Sequence, residues 1–253
     1  MLHDFIIGLI ATFLPKNLDK PNNTILVRLL SLNSRFYSIR DKFIKNACLN
    51  DDQSQYAYDN KPYGWNKVFY MYFFDSSISD VSELRSVHSL SFEMCNNIRD
   101  VSALNKCHFV ALWDCNIITD VSALGSVHSL ELCNCDDVSN VSALGSVKFL
   151  VLGCNNIRDV SALGSVHSLT IWDCDNIRDV SALGSVHSLT IWDCNNIRDV
   201  SALGTVHSLT LRYCHNINNV SALSKCNSVT IDRCNGITDV STLKNVPNLK
   251  FIL

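Results

Sequence analysis

Six histidines recur along the chain at close to a fixed interval, at His88, His108, His128, His167, His187 and His207, and Lys148 and Asn227 interrupt the column. Imidazole titrates near neutrality and is the commonest metal ligand, so such a column could hold a metal or sense pH. No cysteine or carboxylate joins these histidines at finger-like spacing, which points to a solvated ladder and no metal site. Adjacent imidazoliums repel, and the array is expected to loosen near about pH 5–6.

The second recurring group is sulfur. Eight of the twelve cysteines fall once per repeat, at Cys95, Cys115, Cys135, Cys154, Cys174, Cys194, Cys214 and Cys234. They include no CxxC pair, and stacked rungs about 4.8 Å apart with parallel inward side chains disfavour bridging. They read as small apolar filler that donates weakly to loop carbonyls. Cys107 and Cys226 fall on another core position. Ser142, Ser161, Ser181 and Ser201 have no repeated His–Asp partner in nucleophile geometry, and no glycine-rich phosphate loop is present. No catalytic residue or cofactor is expected, and the chain reads as a non-enzyme.

The element that positions these groups is a repeat. DVSALGSVHSLTIWDCDNIR (159–178) is followed by DVSALGSVHSLTIWDCNNIR (179–198), and the two differ only at Asp175 and Asn195. Within one unit the apolar positions Leu163, Val166, Leu169, Ile171, Cys174, Ile177 and Val180 are spaced 3, 3, 2, 3, 3 and 3. The single period-2 step predicts a short strand with Leu169 and Ile171 inward. The period-3 steps exclude a regular α-helix and predict 3₁₀ or extended turns. Asp80, Asp100, Asp120, Asp159, Asp179, Asp199 and Asp239, with Asn140 and Asn219, precede V-S-x-L and suit capping of the convex turn. Gly145, Gly164, Gly184 and Gly204 are expected to let the chain turn back toward the strand. The unit 140–158 is one residue short between Leu152 and Cys154, which predicts an irregular strand-to-turn corner.

The pattern L-x-x-V-x-x-L-x-I-x-x-C-x-x-I resembles the leucine-rich repeat, with cysteine in place of the usual asparagine rung. C-x-x-I-x-D-V-S-x-L, as at Cys115–Asp120 and Cys234–Asp239, is similar to its cysteine-containing class. The resemblance implies an α/β solenoid: a horseshoe with parallel strands on the concave face and 3₁₀ or extended convex turns, behind a small helical head. Residues 80–253 would form an array of about nine units. Its outward strand positions, among them Ala111, Cys133 and Asp232, would line an open face for a protein target. Exposed Trp, Tyr and Arg dominate binding energy, so Trp113, Trp172, Trp192, Arg212, Tyr213 and Arg233 are the expected contacts.

The N-terminal third reads differently. Residues 4–14 carry Phe5, Leu9 and Phe13 at helical spacing, Pro15 to Asn23 interrupts, and Thr24 and Asn33 or Ser34 can cap two further helices. Three short helices over 1–48 bury little surface alone. IIGLIATFL followed by LLSLNSRFYSIRD resembles the F-box, although His3-Asp4 stands where that family has Leu-Pro before the first helix. The resemblance implies docking on a Skp-type adaptor of a cullin ubiquitin ligase through Phe5, Leu9, Phe13, Leu14, Leu32, Ser34 and Phe36. Read from the residues alone, the same helices would serve as a cap sealing the apolar end of the array. Residues 49–79 read as a polar linker followed by a divergent first coil, with Tyr70 and Tyr72 expected where Leu169 and Ile171 sit.

Net charge is −3, with seven Lys/Arg against three Asp over residues 1–50 and twelve Lys/Arg against seventeen Asp/Glu over 80–253. That balance lacks the clustered basic face nucleic acid requires. MLHDFIIGLIATFL is short of the roughly 20 apolar residues of a membrane span and carries no basic n-region or cleavage site. Unpaired thiols in this number suit a reducing compartment, so an intracellular protein, cytoplasmic or nuclear, is expected rather than a secreted adhesin. Arrays of this kind behind an F-box-like head are common in large DNA viruses of protists, and a viral chain would work in the host cell. The expected function is the target-recognition subunit of a cullin-type ubiquitin ligase; the alternative is a plain leucine-rich-repeat scaffold. Phe251-Ile252-Leu253 ends in a strand with no polar closing segment, which suggests self-association through that end.

Overall fold

A computed structural model describes residues 48–49 and 70–252. The F-box-like residues Phe5, Leu9, Phe13, Leu14, Leu32, Ser34 and Phe36 lie outside the described residues, as does the rest of the expected three-helix head before Cys48. Among the described residues, eleven strands form one parallel sheet in strict sequence order. They are β1 (Cys48–Leu49), β2 (Tyr70–Phe74), β3 (Ser89–Glu93), β4 (Phe109–Trp113), β5 (Ser129–Cys133) and β6 (Phe149–Gly153). They continue as β7 (Ser168–Trp172), β8 (Ser188–Trp192), β9 (Ser208–Arg212), β10 (Ser228–Asp232) and β11 (Asn248–Ile252). The pairing β1 with β2 places Cys48 and Leu49, expected at the junction of head and linker, on the sheet itself.

Between strands the return side of each coil is 3₁₀, from Ser82–Leu84 through Ser161–Ser165 to Ser241–Leu243. No helix among the described residues is long and apolar enough to cross a membrane. The period-3 spacing fixes this choice. Leu163, Val166, Leu169, Ile171, Cys174, Ile177 and Val180 are each at most 1% exposed, so every apolar position of the unit faces one continuous interior. An α-helix at 3.6 residues per turn would rotate Leu163 and Val166 apart; three per turn keeps them on one line.

The caps are Asx turns. Asp159 Oδ1 accepts the Ser161 amide at 2.8 Å, and the same bond recurs at 2.8 Å from Asp80, Asp100, Asp120, Asp179, Asp199 and Asp239. Asn140 and Asn219 make it at 3.0 Å. Hydrogen bonds from the Ser161 hydroxyl and amide hold the Asp159 carboxyl below the usual carboxylate range.

The glycines serve a purpose other than the expected one. Among the described residues no glycine has positive φ. A Cβ on Gly145, Gly164 or Gly184 would meet the carbonyl oxygen of Ala162, Ala182 or Ala202 in the next coil at 2.4, 2.5 and 2.5 Å. They permit close coil stacking, not a left-handed turn. The left-handed residue is elsewhere, directly after each regular strand: Met94, Asp114, Asn134, Asp173, Asp193, Tyr213 and Arg233, at φ of 50 to 56°. Its amide donates to the next coil, as from Asp173 to the Trp192 carbonyl at 3.0 Å.

This corner explains the short unit. The coil containing β6 is the one from β3 to β10 without a left-handed residue after its strand. β6 accordingly pairs with β7 over four positions, where β7 and β8 pair over five. A second one-residue shortfall corrects the N-terminal alignment. Ser76 stands on the cysteine rung but only two residues before Ile78, whereas Cys95 stands three before Ile98. The slip exchanges the faces of β2. Met71 and Phe73 pair with Leu90 and Phe92 and are fully buried, while Tyr70 and Tyr72 point outward, half-exposed.

Candidate protein-binding face

The inward face of the array is lined with sulfur. The ladder cysteines from Cys115 to Cys234 are buried thiols, none bridged to another. Cys194 Sγ donates to the Trp192 carbonyl at 3.3 Å and the Ile171 carbonyl at 3.8 Å. Burial pushes the Cys174 and Cys194 thiols up to about 12, far from the thiolate range a nucleophile needs. Ser142, Ser161, Ser181 and Ser201 each open a 3₁₀ segment, with their amides bound to the capping Asx residues.

The histidine column is a stack of rings. Centroids lie 4.6 Å apart for His88–His108, 4.4 Å for His108–His128, 4.8 Å for His167–His187 and 4.5 Å for His187–His207. At the Lys148 interruption Phe149 bridges edge-on, 5.3 Å from His128 and 6.1 Å from His167. Parallel rings direct their nitrogens along separate planes. Among the described residues no group of three or more His, Cys, Asp or Glu comes together as a metal site.

A second ladder escaped the sequence reading. The turn after each cysteine rung is C-N-N-I or a close variant, and both polar side chains clamp neighbouring coils. Asp175 Oδ1 accepts the Asn195 amide at 2.8 Å, and Asn195 Oδ1 accepts the His215 amide at 3.2 Å. In the other direction Asn176 and Asn216 donate through Nδ2 to the Asn155 and Asn195 carbonyls at 2.7 and 2.6 Å. The recurrence of Asn after Cys was the available signal. Asp175, the one difference between the twin units, fills the acceptor role of Asn195.

The concave column runs through the last residue of each strand: Glu93, Trp113, Cys133, Gly153, Trp172, Trp192, Arg212 and Asp232. Its N-terminal part satisfies its own acids. Tyr72 donates its hydroxyl to Glu93, and Trp113 Nε1 donates to Glu131 at 3.2 Å. Trp113 is 43% exposed and stands apart from the other expected contact residues. Three positions expected on the open face are covered. Ala111 is buried beside its larger register partner Glu131, Cys133 lies against the indole of Trp172, and Asp232 lies against Arg212.

Trp172 owes its position to the short coil. A Cβ on Gly153 would sit 2.3 Å from the Trp172 ring, so the indole occupies the notch that the glycine leaves. Burial pushes the Cys133 thiol up to about 11, against a hydrogen bond from Trp172 that favours the thiolate.

From Trp172 onward the expected contact residues join into one strip. The Trp172 and Trp192 rings are 6.3 Å apart, and the Arg212 guanidinium lies 5.7 Å from the Trp192 ring and 6.0 Å from that of Tyr213. Asp232, only 5% exposed, fixes it through a 2.6 Å ion pair to Nε. The Arg233 guanidinium lies 5.5 Å from the Tyr213 ring and donates to its hydroxyl. A guanidinium over two rings, anchored by a carboxylate, is a preorganised arrangement: its groups are held in place by one another.

No protein-family model matches the sequence, and no match is found among curated proteins. Solved structures do match. An internalin (InlF) from Listeria monocytogenes is 22% identical, with a TM-score of 0.53 over 74% of this chain and 60% of that one. Internalin C2 of the same organism is 19% identical (TM-score 0.46, 75% of this chain and 81% of that one). The leucine-rich repeat domain of the type III effector XopL is 12% identical (TM-score 0.49, 88% and 82%). The chain thus spans about 60% of the length of the first internalin. With one strand and one 3₁₀ return per coil, the likeness to that internalin makes the fold a leucine-rich-repeat solenoid.

Proposed function

We propose that the chain is a non-enzymatic protein-binding module that holds its target on the concave face, at the strip from Trp192 to Arg233. The observation that carries this reading is the preorganised set Trp192, Arg212, Tyr213 and Arg233: exposed or half-buried aromatic and cationic groups in mutual contact, the residue types that dominate interface energy. With the F-box-like segment Leu32–Phe36, the module serves as a target-recognition subunit of a cullin-type ubiquitin ligase, docking a Skp-type adaptor. The test is titration of the full chain with a purified Skp-type adaptor, beside the Leu32→Ala/Phe36→Ala variant. Binding by the intact chain and its loss in the variant support the ligase role; no binding by the intact chain overturns it.

One observation favours a second reading. β1 pairs with β2, so chain from the N-terminal third continues the sheet as its first rung. In this reading the preceding residues cap the solenoid and the protein is a leucine-rich-repeat scaffold. Deletion of residues 1–47, which retains β1, then lowers the melting temperature of the array, whereas a ligase adaptor segment would leave it unchanged.

A further inference from the structure

The corner residue after each strand carries a pattern that the repeat does not require. Left-handed φ is costly for L-residues and is best tolerated by Asn and Asp. Asp114, Asn134, Asp173 and Asp193 follow that rule; Tyr213 and Arg233 hold the same φ of 51° without the local hydrogen bonding that makes it cheap. Met94, at φ 56° in the N-terminal part of the array, is a third exception; Tyr213 and Arg233 fall on consecutive coils, and there the charge of the corner line reverses. Asp173 and Asp193 precede, both exposed; Arg233 follows, with Lys250 exposed on the next strand. Arg212 is paired with Asp232 and stands over the rings of Trp192 and Tyr213, which makes it a packing surface rather than a free cation.

We infer that the strip takes an extended protein segment laid across the coils, with a basic side chain at Asp173 and Asp193 and an acidic one at Arg233. This deepens, and rests on, the reading of the concave face as the target site. Coils stack about 4.8 Å apart, so the three steps from the Asp173 corner to the Arg233 corner span roughly 14 Å. An extended chain advances about 3.4 Å per residue, which sets a cation at Asp173 about four residues, and one at Asp193 about three, from the carboxylate at Arg233. Between them the Trp192 ring and the Arg212 guanidinium favour an apolar or aromatic side chain. Complementary charges at both ends fix register and exclude segments of a single sign.

The experiment is selection of a displayed random decapeptide library on the full-length chain, with Trp192→Ala and Arg233→Glu run in parallel. Enriched peptides are expected to carry Lys or Arg about three or four positions from Asp or Glu, in either order, around an apolar residue. Arg233→Glu should cut their recovery by about tenfold and instead select peptides basic at both ends. Because Arg233→Glu keeps the rest of the strip, that switch in selected charge separates recognition from a folding defect. Peptides that depend on Trp192 but show no charge spacing, or are selected equally by Arg233→Glu, overturn the inference and leave the concave site standing. No enrichment over Trp192→Ala overturns both. A further readout comes from Tyr213→Asn, expected to raise the melting temperature by relieving the corner while lowering peptide recovery. A fall in stability with unchanged recovery would show that Tyr213 is there for packing.

Discussion

Trp172 and Trp192 occupy the same position in twin coils that differ at one residue, yet their surroundings differ. Trp172 follows the short coil and sits in the notch at Gly153, covering Cys133. Trp192 follows a regular coil, is 41% exposed and carries the Arg212 guanidinium on its ring. In a solenoid the contacts of a coil come from the coils stacked next to it, so those coils decide what a copied residue does. One indole has become part of the scaffold and the other stays on the open face, where the proposed target would meet it.

The strongest way to break this contrast is to fill the notch. Gly153→Val places side-chain atoms inside the volume of the Trp172 ring, where even a Cβ lies 2.3 Å from it. The indole must leave, and overpacking of this kind costs roughly 1–3 kcal/mol. Chemical denaturation should show that loss together with a red shift of tryptophan emission. Unchanged emission would mean that the ring never sat there.

Removing each indole sharpens the same contrast. Trp172→Ala uncovers Cys133, so stability should fall by about 1–2 kcal/mol and a thiol reagent should modify the native protein at Cys133. Trp192→Ala should change stability by less than about 1 kcal/mol, leave Cys133 protected, and cost its effect in partner or peptide binding. Equal stability losses in the two variants would erase the distinction.

The one residue that distinguishes the twins predicts a smaller effect. Asp175→Asn keeps an acceptor for the Asn195 amide and should stay within about 0.5 kcal/mol of the parent. Asn195→Ala removes the acceptor of the His215 amide and should cost about 1 kcal/mol by thermal or chemical unfolding.

What the sequence made legible follows from which interactions repeat within a coil. Leu169, Ile171 and Cys174 could be placed inward because the period-2 step and the period-3 steps are local geometry. The Asx caps were equally readable, since Asp159 and Ser161 are two residues apart. The misplacements are all contacts between coils or losses of register. Position within the coil points to turning at Gly145 and its equivalents, but they relieve a clash with a carbonyl in the following coil. Counting back from Asp80 puts Tyr70 and Tyr72 inward, because a one-residue gap after Ser76 is invisible when β2 has no repeat-like residues to anchor it. Trp172 was expected to be exposed like Trp192, because the missing corner residue tells nothing by itself about which ring will fill the space. The asparagine ladder has the right period, but whether Asn195 points to solvent or to the next coil depends on side-chain conformation, which the pattern does not encode.

The smallest predicted effect concerns the histidine stack, which Phe149 divides into two runs. In the first run, burial and then the neighbouring His108 depress His88, and burial, His108 and Lys148 depress His128. A base whose folded pKa lies below its unfolded value of about 6.5 takes up protons more readily when unfolded, so stability falls as pH drops through that value. The melting temperature should therefore be lower at pH 5.5 than at pH 7.5. Replacing the shared neighbour, His108→Gln, should shrink the difference, because it removes the charge that both His88 and His128 face. The capping carboxylates do not enter this window. Hydrogen bonds from the Ser161 hydroxyl and amide hold Asp159 low, so its contribution is lost only as pH falls below about 4. Melting curves that coincide at the two pH values, or a His108→Gln variant with an undiminished shift, would show that the stacked rings carry no linked proton and act as packing alone.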